Sequence, residues 1–402
     1  MALTPEQLQL IPEGFVSIYQ KFEAFLIKDI SRRIKKASSI TDMARWQIIK
    51  AQELGIAKKT IEKELSRVIQ NSEKEIESLL NDVADLSIEQ DNLIYQKAGL
   101  DKVSVDNEAM RNIITAAINQ TNGELFNITK SLGFVSRVGG KVIYKDIAKY
   151  YHDVLDLAVI QISSGTLDYN TAIRNAIRNL ADSGVRYVDY ASGWSNKIDV
   201  AVRRAIMTGS NQMSQQLTLE SMKQTGANFV ETTAHIGARP DHAEWQGKVF
   251  CYGGKSDKYP DFIESTRYGY GDGLGGWNCR HSFYPFFPGI SERAYDDKKL
   301  KELNDKYVEY EGKRISYYEA MQKQRYMERN IRKIKNELIG FDSAGLKDDF
   351  KAKSILLKQL ERKYKNFSYA VGIPTEKERL QVLGFNKSIA QKSVWENRKA
   401  KS

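Results

Sequence analysis

Proline occurs at positions 5, 12, 240, 260, 285, 288 and 374 of the 402 residues, so none interrupts residues 13–239. Proline removes a helical donor and clashes with the preceding turn, so its absence from such a length permits long helices. Apolar residues there follow helical spacing. Ile61, Leu65, Val68, Ile76, Leu79, Val83 and Leu86 recur at steps of three and four, with one wider gap at Asn71–Ser72. Charged residues such as Lys58, Lys59, Glu62, Lys63 and Glu64 occupy the positions between. The pattern predicts helices over about 14–37, 42–98, 104–131, 143–163, 169–190 and 196–224, parted by short polar and glycine stretches such as Val138-Gly139-Gly140-Lys141. Residues 1–225 therefore read as an all-helical body.

The pattern changes at Asn228. Phe229-Val230-Glu231-Thr232-Thr233-Ala234-His235-Ile236 is rich in β-branched residues and reads as a strand. Residues 241–289 then hold 12 of the 41 aromatics, 9 of the 27 glycines, three of the seven prolines and both cysteines. Such a composition suits a small, loop-rich α+β module pinned by aromatic packing. Helical character returns over 291–310, 314–339 and 346–367, with Gly340 as an expected C-cap. The last thirty residues read as loosely ordered. The fold class expected is mainly α with a small central α+β module, divided as a helical body (1–225), the aromatic and glycine-rich module (226–290) and a basic helical C-terminal region (291–402). No apolar run approaches the ~18–20 residues of a membrane span.

The formal charge of +10 is confined to one region. Residues 1–290 carry 34 Lys and Arg against 34 Asp and Glu, whereas 291–402 carry 27 against 17. A basic section on a neutral body is the footprint of a protein that touches phosphate or another acidic surface. Arg325, Arg329, Arg332, Lys333 and Lys335 recur at helical steps, so several should share one face as candidate contacts to DNA phosphates.

Three of the four histidines, His235, His242 and His281, fall within 47 residues, together with Cys251 and Cys279. These are the donor types of zinc sites, and Cys279-Arg280-His281 places two of them side by side. The spacing matches no finger motif, and three readings stand: a structural zinc site, a packed polar and apolar cluster, or a Cys251–Cys279 disulfide. An enzyme reading would use His242 with Glu244 as a base pair and Asp241 to orient the imidazole. The chain contains no HExxH, GxSxG or Walker motif, and Gly269–Gly276 does not follow a strand as a dinucleotide loop must.

The order of motifs in this region resembles a known family. Arg239, His242, Gln246 and Gly247 lie in the first segment, and the segment closes on Trp277-Asn278-Cys279-Arg280-His281. Together with the basic stretch 322–333, these are similar to the phage minor capsid protein 2 family, related to the F-type minor head proteins of phage Mu. The similarity extends over about 14–370. It implies a non-enzymatic structural protein of the virion, located in the phage head near the portal and made in the bacterial cytoplasm. It also implies portal protein, major capsid or scaffold protein, and packaged double-stranded DNA as partners. The alternative is a metal-dependent enzyme or toxin-like effector carried in the head.

Overall fold

The computed structural model describes residues 3–37, 43–138, 141–163, 169–188 and 195–399. In chain order the elements begin with four helices, α1 (Pro5–Leu10), α2 (Glu13–Ala37), α3 (Met43–Lys97) and α4 (Glu108–Lys130). Then come β1 (Leu132–Val138), β2 (Lys141–Asp146), α5 (Ile147–Ser163), α6 (Tyr169–Ser183), β3 (Arg186–Val188), β4 (Ser195–Lys197) and α7 (Ile198–Thr225). The middle holds β5 (Phe229–Thr232), α8 (Pro240–Ala243), β6 (Val249–Cys251), α9 (Phe262–Thr266) and β7 (Phe283–Pro285). The chain continues through α10 (Asp297–Asn304), β8 (Tyr307–Tyr310), β9 (Lys313–Ser316), α11 (Tyr317–Ala344), α12 (Lys347–Ala370) and α13 (Lys387–Lys399). Helix dominates, as the proline-free stretch implies, with three small antiparallel sheets.

Four expectations need correction. Residues 1–225 are not all helical, because β1 to β4 form an antiparallel sheet in the order β2-β1-β3-β4. Phe134 of β1 is fully buried and packs on Tyr150 of α5 with ring centroids 4.5 Å apart, so the sheet has a core face that a helical reading of this stretch misses. Gly139 and Gly140 lie outside the described residues. Gly340 caps nothing, since α11 continues to Ala344 and the left-handed residue is Gly345, with φ +72°. Residues 307–316 form the β8–β9 hairpin, not helix, and the C-terminal segment contains α13, whose Asn397 donates to the Ser354 carbonyl of α12.

Contacts group the chain into two compact units, each drawn from three stretches. The spans 1–225, 226–290 and 291–402 mark changes of composition; the units mark what packs together.

One unit comprises Met1–Phe15, Asn71–Phe126 and Val202–Met321. Its small sheet has β5 between β6 and β7, with Val230 opposite Phe250 on one side and Pro285 on the other. Phe250, Phe262, Phe283 and Trp245 fill the space beside it, with Phe262 and Phe283 edge to face at 4.9 Å. Burying each such ring contributes about 2–3 kcal/mol. The helical part is less ordinary. Ser87, Asp91 and Tyr95 of α3 are buried and meet Ser214, Thr218 and Ser221 of α7 at 2.9, 2.7 and 2.6 Å. Steps of about four residues on both helices give a parallel ladder of hydroxyl and carboxyl contacts inside the core.

The other unit comprises Val16–Gln70, Asn127–Ala201 and Gln322–Ser402. It contains the four-stranded sheet, α5, α6 and most of α11 to α13. Glu23 of α2 is half-buried there, and it accepts from the Val185 backbone N–H at 2.9 Å. Among the described residues, no helix is long and apolar enough to cross a membrane.

Candidate metal centre and the basic helices

Two turns of chain bring the candidate ligands together. Pro240 starts α8 with its φ preset, and this one-turn helix points His242 inward. The second turn lies between Trp277 and Cys279, where Asn278 takes φ +56°. Asparagine tolerates this left-handed conformation better than most side chains. It turns Cys279 and His281 inward ahead of β7.

The Sγ of Cys279 lies 3.8 Å from Nδ1 of His242 and 3.6 Å from Nδ1 of His281. One ligand atom from each of the three residues lies within 4.8 Å of the others, and the residues are 3%, 3% and 1% exposed. Sulfur and nitrogen bound to one tetrahedral zinc are separated by roughly 3.6 Å, given Zn–S of ~2.3 Å and Zn–N of ~2.05 Å.

Hydrogen bonds fix which nitrogen of the His281 ring carries the proton. Gln246 Oε1 accepts the His235 backbone N–H at 3.0 Å, and Gln246 Nε2 donates to Asn304 Oδ1 at 2.6 Å. The amide is thereby oriented. His281 Nε2 lies 2.9 Å from the same Oε1, so it must donate, and Nδ1 presents a lone pair to Cys279. His242 Nε2 lies 3.0 Å from the Asp272 carbonyl, which can only accept. Its Nε2 also touches Arg239 Nη2, which can only donate, so the two contacts call for opposite tautomers; Nδ1 is the ring atom that faces the sulfur. The Asp272 carbonyl accepts in addition from Arg239 Nη2 at 2.9 Å, and that guanidinium touches the His242 ring.

Proton accounting centres on the thiol. A thiol has one hydrogen, and within its reach are His242 Nδ1, His281 Nδ1 and the His281 carbonyl at 3.8 Å. It can satisfy one of them, and the carbonyl already accepts from Asn211 and Gln215. Burial lowers the pKa of His242 and drives that of His281 well down, the latter helped by the neighbouring histidines and by Arg280 and Arg239. Neutral rings are the form that ligates metal. Burial pushes the Cys279 thiol up, while backbone N–H bonds from Gly275 and His281 and the Arg239 and Arg280 charges work against that rise. A divalent cation would accept all three donors at once and would favour the thiolate.

Helix α7 holds this loop by its backbone. Asn211 Nδ2 and Gln215 Nε2 donate to the His281 carbonyl at 2.9 and 3.2 Å, and Gln212 Nε2 donates to Gly275 O at 3.1 Å. The Oε1 of Gln215 is buried and has no protein partner. Sequence reasoning missed these residues. Their signal was available, because residues 205–219 contain no charged side chain, which is unusual for a polar helix meant to face water.

The structure gathers three of the five candidate ligands. His235 stays outside the group and stacks on His281, with ring centroids 4.4 Å apart. Cys251 lies on β6, outside the group, and both cysteines are free thiols, so the disulfide reading is replaced. Chain proximity does not fix side-chain direction, and β6 carries Cys251 elsewhere. The remaining motif residues support the fold. Gly247 has φ +65°, and a Cβ there would stand 2.4 Å from Leu300 Cδ2. Arg280 reaches Gln9 Oε1 at 2.7 Å and His235 Nδ1 at 3.3 Å. Glu244 is exposed while His242 is buried, so the acid–base pair considered from sequence does not assemble.

The basic candidates on α11 are placed unevenly. Arg332 bonds Asp199 at 3.2 Å and the Arg379 carbonyl at 2.8 Å, and Lys333 bonds Asp182 at 2.6 Å. Lys335 donates to Leu380 O at 2.8 Å and lies 3.9 Å from Glu361, and burial lowers its pKa. Arg325 is half-buried. Arg329 is exposed and leans on the Tyr326 ring at 5.9 Å.

A family model described as phage minor capsid protein 2 matches residues 3–368. A protein described as a structural protein of Lactococcus phage LL-H is 26% identical over 200 residues, covering 46% of this chain and 49% of the relative. The chain thus spans about half the length of that curated relative. No solved structure matches.

Proposed function

The chain belongs to the phage minor capsid protein 2 family, and from that premise we propose that it is a non-enzymatic protein of the phage head whose central module is pinned by a structural zinc ion. The observation that carries the metal is the convergence of two imidazole Nδ1 atoms on one buried thiol. His242, Cys279 and His281 would hold the ion, which would cross-link α8 to the strand-entry loop before β7. Burial of all three favours a structural role over a reactive one, because a catalytic metal needs a position that substrate can reach. The LL-H relative's description as a structural protein supports a structural part in the virion and does not bear on the metal.

In the head, the protein would sit inside the shell near the portal, bind portal and major capsid or scaffold protein, and contact packaged DNA through its basic C-terminal region. The net of +10 over residues 291–402 supports the last contact. The metal and the placement have separate tests. Elemental analysis of protein purified without chelators should find about one zinc per chain, and Cys279→Ala should abolish it. A metal-free wild-type protein would sink the metal. Cross-linking in intact heads should join the chain to portal or capsid protein; products with neither would sink the placement.

A further inference from the structure

The outward face of α12 carries a stripe of exposed cations. Lys347, Lys351, Lys358, Arg362 and Lys365 are all exposed. At about 100° per residue they fall within roughly 60° of arc, in a stripe ~27 Å long. Tyr369, 92% exposed, continues the same line. None of the five cations has an ion-pair partner among the described residues.

The acids of the same helix explain why. Asp349 is taken by Arg174 of α6, with Arg178 at 4.0 Å, and Glu361 is taken by Lys335 of α11. Lys353, off the stripe, is drawn to the buried Glu337 of α11. Cations from neighbouring elements thus neutralise the part-buried Asp349 and the part-exposed Glu361 of α12, and the helix's own stripe cations are left facing solvent. Asp348, about 70° from the centre of the stripe, stands exposed near it, and the part-exposed Glu361 lies as far off on the other side. By contrast, three of the five basic candidates on α11 are engaged within their own unit.

We propose that the Lys347–Lys365 stripe of α12 is the surface that binds the phosphate backbone of duplex DNA. The proposal rests on the DNA contact suggested above and locates it. A row of flexible cations on a straight helix suits a duplex, whose phosphates present regularly spaced charge along their length. It carries no geometry for reading base edges, so binding should be independent of sequence.

The test is a titration of full-length protein against a fluorescent 30-base-pair duplex at several salt concentrations. Three to five phosphate contacts predict a slope of log K against log salt of roughly −3 to −4.5. The triple variant Lys351→Gln/Lys358→Gln/Arg362→Gln should lose tenfold or more in affinity at low salt, with a shallower slope. Its melting temperature should stay unchanged, because the side chains are exposed and unpaired. Arg329→Gln on α11 should change little. A triple variant that binds with wild-type affinity and slope would overturn the α12 assignment while leaving DNA contact intact. Wild-type protein that fails to bind duplex at low salt would overturn the DNA contact itself. Binding of polyglutamate as tight as that of duplex would overturn DNA in favour of an acidic protein partner.

Discussion

Gln246 and His281 meet through a single oxygen, Oε1, which lies 2.9 Å from the ring Nε2 while also accepting the His235 backbone N–H. The imidazole is therefore held in one tautomer by an amide that cannot turn over. Metal-binding histidines usually depend on such a partner for orientation and basicity. Gln246→Ala should weaken zinc binding by about 10- to 100-fold without touching a ligand. Competition against a chromophoric chelator measures this, and an unchanged affinity would mean the amide does not set the ring.

Asp91 predicts the direction of a pH dependence. Burial raises its pKa to about 7, against the opposing hydrogen bond from Thr218. The unfolded carboxyl titrates near 3.9, so between about pH 4 and 7 the folded state binds more protons than the unfolded state. Stability from this group is full below pH 4 and is lost as pH rises through 7, by up to about 4 kcal/mol at 1.36 kcal/mol per unit. Urea midpoints at pH 5 and pH 8 should differ in that sense for wild type. Asp91→Asn should remove most of the difference.

Gly275 should tolerate no side chain. Its φ is +73°, and a Cβ would stand 2.2 Å from Gln215 Oε1. Gly275→Ala should cost about 2 kcal/mol or more through backbone strain and displacement of the α7 clamp, read from the denaturation midpoint. It should also loosen metal binding, because the Gly275 N–H donates to the Cys279 sulfur.

Gly340 makes an opposite case from helical φ. Alanine in a helix interior is favoured over glycine by about 1 kcal/mol. Here, however, a Cβ would lie 2.6 Å from Ile177 Cγ2 and 3.2 Å from Ser31 Oγ, and both neighbours are fully buried. Overpacking of this kind costs about 1–3 kcal/mol, so Gly340→Ala should lower the melting temperature. A rise would show that α6 can yield.

Much of the architecture was legible because it depends on periodicity. The apolar stripe of α3 appears in sequence as Ile61, Val68, Ile76 and Val83, and all four are buried. The aromatic density of 241–289 likewise announced a compact module. The sheet of β1 to β4 is hidden from periodicity, because Gly-Gly between two short apolar runs signals a hairpin as well as a break between helices. Gly340 was misread because a glycine near a helix end has two uses, capping and close approach, and sequence does not separate them.

Of the candidate metal site, the residue types were legible and their directions were not. His242, Cys279 and His281 converge because α8 and the Asn278 turn aim them, which no count of histidines reveals. The polar residues of α7 escaped notice because Asn, Gln, Ser and Thr ordinarily face water. The cations of α11 were visible as cations, but their partners Asp182 and Asp199 lie more than 130 residues away in the chain.

The α3–α7 ladder has a consequence for how the chain is made. Each pair joins residues 126 or 127 positions apart, and their unit also needs residues as late as Met321. At ribosomal speeds of about 5–20 residues per second, Ser87 waits several seconds or more for Ser214 to be synthesised, and the His281 ring arrives later still. During that interval a half-built helix displays Asp91 and two hydroxyl-bearing neighbours instead of a bare apolar stripe. Water can solvate that face until its partner emerges, which protects the nascent chain from premature association.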